Sequence, residues 1–185
     1  LSRKFNNSNH TVGTAPLVGS SIVFPGGDLS PSSLYDMLER GVTMTAAVPT
    51  VWLLLLNFLE SEQKKLSSLE RVVIGGSSCP RSVIEDFQNK YGVRVLHAWG
   101  MTETSPVGLI NTATNENQKL SKQKTGRPVW TTKFKIVGED GIDLPQDSTA
   151  IGEIYIKGPT VINSYLKNSS KAVDEEGWFR TGDIG

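Results

Sequence analysis

Seven consecutive residues, His97-Ala98-Trp99-Gly100-Met101-Thr102-Glu103, bring an imidazole, an aromatic plane, a glycine, a hydroxyl and a carboxylate into one short stretch. A threonine hydroxyl such as Thr102 donates to a phosphate oxygen, and an adjacent carboxylate such as Glu103 holds Mg2+, the hard cation that accompanies nucleoside triphosphates. A solvated loop acid is the competing reading of Glu103; for His97 it is a packed core imidazole, and for Trp99 a core aromatic. Two further stretches have the same form, Gly75-Gly76-Ser77-Ser78 and Thr181-Gly182-Asp183. The paired glycines let a flat ligand lie against bare backbone, or simply make a tight turn before a helix. That helix adds unpaired N–H groups at its start. Asp183 can accept two hydrogen bonds from a ribose diol, or close an Asx turn.

All three stretches follow short apolar runs, and those runs are what must position them. Val93-Arg94-Val95-Leu96 reads as a buried strand, with Gly100 expected to turn the backbone out of the sheet, so Thr102 and Glu103 fall at its carboxyl end. Ligands of open α/β sheets bind at that end. Ahead of it, Ala15 to Phe24 reads as a strand closed by Pro25-Gly26-Gly27. Ser30 caps a helix with Pro31 at its first position, Leu34, Met37 and Leu38 on one face, and Gly41 at its end. Val42 to Val48 is the next strand, and Pro49 opens a helix through Trp52, Leu55, Leu56 and Leu59. Leu69 to Ile74 is a third strand, and Pro80 to Tyr91 a helix stopped at Gly92. Strands and helices alternating at this spacing imply a parallel sheet.

After Pro106 the pattern changes to strands: Val107 to Asn111, then Lys133 to Val137, a turn at Gly138-Glu139-Asp140-Gly141, Gly152 to Lys157 with Ile154 and Ile156 alternating, and Gly177 to Asp183. Residues 112–125 read as a solvated loop whose Lys119, Lys122 and Lys124 have no element to aim them, and residues 1–11 as an aperiodic polar end. The fold class expected is therefore α/β: a parallel sheet with flanking helices over about residues 15–111, then a β-rich region over about 126–185.

A chain of 185 residues can bury one sizeable core without staples. Cys79 is its single cysteine, which excludes an intrachain disulfide and fits a reducing, intracellular and cytoplasmic setting. As a buried small apolar residue it needs no chemistry. Nineteen basic residues balance nineteen acidic ones, so nucleic acid and anionic membranes are poor partners. The longest apolar run, Val51 to Leu56, falls far short of the roughly 20 residues of a transmembrane span. The chain begins at Leu1 rather than Met and ends inside a motif, and so reads as a piece of a longer domain.

Taken together, Trp99-Gly100-Met101-Thr102-Glu103, the Gly-Gly turn before it, the segment from Gly152-Glu153-Ile154 to Tyr165, and Trp178-Phe179-Arg180-Thr181-Gly182-Asp183 resemble the ordered motifs of adenylate-forming, AMP-binding enzymes. That family includes acyl-CoA synthetases, luciferases and the adenylation domains of peptide synthetases. The resemblance covers about Ala15 to the end, and Val48-Pro49-Thr50-Val51-Trp52 with Val95 to Glu103 is most similar to medium- and long-chain fatty acyl-CoA synthetases.

The resemblance implies ATP- and Mg2+-dependent activation of a carboxylic acid to an acyl-adenylate, followed by transfer to coenzyme A. It implies nucleotide contacts from Gly75, Gly76, Ser77, Ser78, Trp99, Gly100, Met101, Thr102 and Asp183, with adenine between the Gly75-Gly76-Ser77 backbone and the Trp99 ring. Thr102 would meet the α-phosphate, Glu103 would bind Mg2+, and Gly76, His97 and Ala98 would border the acyl chain; Thr102 and Glu103 would be the catalytic pair. The family's Ser/Thr/Gly-rich phosphate loop ending in Pro-Lys is expected upstream, since no such run occurs in this chain. Neither does its aromatic-His segment, which Phe5 to His10 does not reproduce. The small C-terminal domain with its catalytic lysine is expected after Gly185. The chain is thus read as a partial adenylation domain that does not turn over alone. Ser164 stands before Tyr165 where the family has glycine, which puts a turn there in question. The rival functions are adenylation of an aryl acid, amino acid or luciferin, or a non-catalytic nucleotide- or acyl-binding protein.

Overall fold

The computed structural model describes residues 4–6, 15–112, 124–147, 149–167 and 170–185. The chain forms two compact units, Leu1–Trp99 with Ile110–Gly126, and Gly100–Leu109 with Arg127–Gly185.

The first unit is an α/β layer. Its strands are β1 (Lys4–Asn6), β2 (Ser21–Val23), β3 (Met44–Ala47), β4 (Arg71–Ile74) and β5 (Arg94–Gly100) up to Trp99. They lie in the order β2-β1-β3-β4-β5. Every pair in this stretch is parallel, with Phe5 beside Ile22 and Met44, Ala47 beside Ile74, and Ile74 beside His97. This is a doubly wound order. Two expectations need correction. The sheet begins before residue 15, because Lys4–Asn6 forms β1 between β2 and β3; three residues carry too little pattern to be read, and their pairing is entirely non-local. Ala15 to Phe24 is not one strand, because Pro16 starts a turn of 3-10 helix, Pro16–Val18, before β2.

Helix chemistry follows the sequence more closely. Helix α1 (Pro31–Leu38) has Ser30 at its N-cap, the Ser30 hydroxyl accepting from Ser33 N–H at 3.4 Å, and buries Leu34, Met37 and Leu38. Helix α2 (Pro49–Ser61) buries Trp52, Leu55, Leu56 and Leu59. Helix α3 (Arg81–Glu85) passes into a π-helical turn, Asp86–Lys90, that seats Phe87 in the core. The core joins Trp52, Leu55 and Leu59 to Val72 and Ile74 of β4, to Val83, Ile84 and Phe87, and to Val93 and Val95. Trp52 meets Phe87 edge-on, ring centroids 5.6 Å apart.

The second unit is β-rich, as expected. It carries β6 (Val107–Ile110) up to Leu109, β7 (Arg127–Pro128), β8 (Lys133–Val137), β9 (Asp143–Leu144), β10 (Glu153–Lys157) and β11 (Phe179–Ile184). Four of them form an antiparallel sheet in the order β11-β10-β8-β9. Alternation along β10 places Ile154 and Ile156 in the core and Tyr155 on the other face, where Lys135 lies over its ring. The turn at Gly138–Gly141 closes through Gly141 N–H to Gly138 O at 3.0 Å. Lys119 and Lys122 lie outside the described residues. Among the described residues no helix is long and apolar enough to cross a membrane.

Candidate functional site

In the first unit the glycine pair sits at the carboxyl end of β4. Ile74 pairs with His97, so Gly75 comes beside Ala98, and a Cβ on Gly75 would fall 2.9 Å from the Ala98 carbonyl oxygen. Gly76 has φ +83°, and a Cβ there would meet Val48 Cγ1 at 3.1 Å. Both positions are closed to a side chain, which leaves a flat backbone shelf with Ser77 and Ser78 exposed beyond it. His97 and Ala98 are buried in β5 and Trp99, next along, is half-buried. The His97 carbonyl accepts from Asn111 N–H at 2.8 Å. Cys79, just past the shelf, is buried, and burial pushes its thiol up to about 11, leaving it a packing residue.

Gly100 is not the turn that sequence reasoning expected. Strand β5 runs through it, and a Cβ there would lie 1.9 Å from the Pro106 carbonyl oxygen. Its role is close approach of two backbones. The loop between them is one 3-10 turn, Thr102–Thr104, followed by Ser105 with φ +52°. Thr104, which sequence reasoning passed over, is its buried hub. The Thr104 hydroxyl accepts from Met101 N–H at 3.1 Å and lies 2.9 Å from the Met101 carbonyl and 2.5 Å from that of Pro106. Met101 and Glu103 are half-buried, and Thr102 is exposed. A threonine just before Ser-Pro was the one available signal of a hydroxyl-closed turn.

Glu103 is held at two points by residues far along the chain. Its carbonyl accepts from Ile162 N–H at 3.0 Å, and its Oε1 accepts from the Tyr165 hydroxyl at 3.0 Å. The carboxylate beside it raises the Tyr165 phenol above its ordinary value. Nothing local predicts this contact, since the two residues stand 62 positions apart. Ser164 sits in a β-bridge with Lys171 and is not in the left-handed region, so its replacement of glycine costs no backbone strain.

Asp183 is also carried differently from the turn expected. Strand β11 continues to Ile184, but Glu153 pairs with Ile184 while Tyr155 pairs with Arg180, so Thr181, Gly182 and Asp183 bulge out opposite Ile154 alone. Gly182 takes φ +79° with open space around it, so the backbone angle is what demands glycine. The bulge is tied down by Thr181 Oγ1 donating to Ile154 O at 2.8 Å and by Gly182 N–H donating to Glu153 Oε1 at 3.1 Å. Arg180 Nε reaches both Glu153 oxygens at 2.7 Å and holds that carboxyl below its ordinary range. Asp183 itself is exposed.

Comparison with known proteins places these features in a family. A family profile described as AMP-binding enzyme matches residues 5–166. The chain is 42% identical over 181 residues to a long-chain-fatty-acid–CoA ligase of Thermus thermophilus, covering 92% of this chain and 33% of that protein. It is 40% identical over 174 residues to 3-methylmercaptopropionyl-CoA ligase of Ruegeria lacuscaerulensis, covering 90% and 32%. Among solved structures, o-succinylbenzoate CoA synthetase of Bacillus subtilis bound to its acyl-adenylate superposes with a TM-score of 0.80 at 26% identity, over 99% of this chain and 38% of that one. The chain spans about a third of the length of the curated relatives it matches. With most of its length inside the family profile, and with the mixed parallel and antiparallel sheets and flanking helices of these synthetases, the chain belongs to the AMP-binding enzymes.

Proposed function

We propose that the protein carrying this chain is an acid–CoA ligase that activates a medium- or long-chain fatty acid with ATP. A carboxylate oxygen attacks the α-phosphorus and pyrophosphate departs, giving an acyl-adenylate. The thiol sulfur of coenzyme A then attacks the acyl carbon, the thiol proton is lost, and AMP leaves. A carboxylate is a poor electrophile until it carries such a leaving group, so the protein's task is positioning and charge stabilisation. The observation that carries this reading is the 40–42% identity to relatives whose names share CoA ligation.

The residues fit these tasks. By the family resemblance, the Gly75–Gly76–Ser77 shelf, Ser78 and the Trp99 ring of the first unit take adenine; in the second unit Gly100 and Met101 are nucleotide contacts and the Asp183 carboxylate receives the ribose hydroxyls. Thr102, exposed at the start of its turn, donates to the α-phosphate. Gly76, Ala98 and His97 border the acyl group. Among the described residues no cluster of three or more His, Cys, Asp or Glu could cage a metal. Glu103 is the residue that would hold a Mg2+ ion, together with phosphate oxygens and water, the set this cation prefers. When bound, Mg2+ neutralises charge on the phosphates.

A second acid is favoured by a specific observation. Two of the relatives are 3-methylmercaptopropionyl-CoA ligases, at 40% and 38% identity, so a short thioether acid competes with a fatty acid. Carboxylate-dependent exchange of labelled pyrophosphate into ATP separates them. The full-length protein is expected to exchange best with one fatty-acid chain length. A maximum with 3-(methylthio)propionate, or with an aryl or amino acid, replaces the substrate; no exchange with any acid replaces the enzyme by a nucleotide- or acyl-binding protein.

A further inference from the structure

Glu103 stands in the 3-10 turn Thr102–Thr104. Its restraint comes from the segment after β10. Val161 of that segment is buried, Val161 N–H donates to Gly158 O at 3.1 Å, and Ala172 N–H donates to Asn163 O at 2.8 Å. On this support, Ile162 N–H fixes the Glu103 main chain and the Tyr165 hydroxyl fixes Oε1 of its carboxylate, each at 3.0 Å.

We propose that Tyr165 is a positioning residue for Glu103: its phenol occupies Oε1 and so presents Oε2 as the atom that meets a phosphate-bound divalent cation. The proposal rests on the reading of Glu103 as the metal ligand. The chemistry of the partner supports it. Among the described residues no lysine or arginine forms an ion pair with Glu103, whereas Glu153 in the same unit is paired with Arg180. A cation beside Glu103 would cancel the charge a metal needs and compete for both oxygens. A neutral phenol donates one hydrogen bond, selects one arrangement of a side chain with three free torsions, and leaves the full negative charge in place. Outer partners of metal ligands act in this way.

The test uses the full-length protein, with Tyr165→Phe and Glu103→Gln. Calorimetry measures the affinity for ATP with excess Mg2+ and for ATP in a chelator, with no acid present so that nothing turns over. The ratio of the two reports the metal's share of binding. Tyr165→Phe is expected to lower that ratio about 10-fold, the small end of the effect of losing an outer partner because the bond is solvent-accessible. Metal-free ATP affinity should stay as in the parent. The same variant should raise the Mg2+ concentration needed for half-maximal pyrophosphate exchange and leave the rate at saturating Mg2+ near the parent's. A ratio unchanged in Tyr165→Phe but lowered in Glu103→Gln overturns the positioning role alone. A ratio unchanged in both overturns the metal assignment with it. Loss of metal-free ATP affinity in Tyr165→Phe also overturns the proposal, because a general structural defect moves that affinity and a positioning role does not.

Discussion

The carbonyl oxygen of Pro106 rests directly on the Cα of Gly100, so close that a Cβ at Gly100 would stand 1.9 Å from it. The Thr104 hydroxyl lies 2.5 Å from the same carbonyl. One backbone oxygen thus closes the loop that presents Thr102 and Glu103, and it can do so only over a glycine.

Gly100→Ala should therefore destabilise the protein by about 3 kcal/mol, the upper end of ordinary overpacking, because the clash is with backbone rather than with the tip of a flexible side chain. Gly27→Ala is the control, since a Cβ there meets nothing within 4 Å. Urea midpoints for the two variants measure the difference. Equal midpoints would mean that the loop yields to the methyl group at no cost.

Glu153 makes the acid sensitivity of the Asp183 bulge predictable. Arg180 holds its folded value below the ordinary carboxylate one, so its stabilisation is complete above the ordinary value and is lost as the pH falls through the folded value. Glu153→Gln should melt lower than the parent near neutrality, and the gap should close in the acid range below the ordinary glutamate value as the parent's carboxylate protonates. Melting curves across that range check it; a gap that is constant with pH would show that the pair contributes through packing rather than charge.

These two cases also mark what local sequence conveys about the fold and the site. Ser30, Pro31 and the Leu34–Met37–Leu38 stripe define α1 because a cap and a helical face are complete within nine residues. The paired glycines at 75 and 76 are legible because a shelf needs only missing side chains. The role of Gly100 is not legible locally because its reason lies in Pro106, which folds back over it. The strand at Lys4–Asn6 exists through Ile22 and Met44, and the hold on Glu103 through Ile162 and Tyr165. Residues that take their role from distant partners leave no periodic trace.

Phe87 shows how much rests on the irregular end of α3. The ring is fully buried in the π-helical turn and lies edge-on to Trp52. Phe87→Ala should cost about 3–5 kcal/mol, the range for truncating a buried aromatic. Phe87→Leu should recover much of that loss. Chemical denaturation of both variants gives the comparison, and a loss below about 1 kcal/mol for alanine would mean the core collapses around the gap.

Cys79 should be inert while the protein is folded. With its thiol pushed up to about 11, about 0.1% is thiolate at pH 8, against about a quarter for an ordinary exposed cysteine. Iodoacetamide at that pH should leave Cys79 unmodified in the native protein and label it in urea, read by mass spectrometry of the peptide that contains it. Rapid native labelling would require a local opening that exposes the residues after the shelf.

Asp183 separates a binding role from a structural one, because its place in the bulge is secured by other atoms. Its own N–H donates to Thr181 Oγ1 at 3.1 Å, and Gly182 is held by Glu153. The bulge is thus tied down by Thr181 and Glu153 as well, so the effect of Asp183 on a ligand can be read apart from the turn. Asp183→Ala should weaken AMP binding by about 1.5–3 kcal/mol, the worth of hydrogen bonds to a charged group, which is roughly 10- to 150-fold in affinity. Asp183→Asn keeps an acceptor and loses the charge, so its loss should be smaller. Calorimetry with AMP and with 2′,3′-dideoxy-AMP tests the assignment directly. The dideoxy nucleotide should bind the parent as weakly as AMP binds Asp183→Ala, and should bind the variant no worse than it binds the parent. If removing the ribose hydroxyls costs the same in both proteins, Asp183 does not receive them.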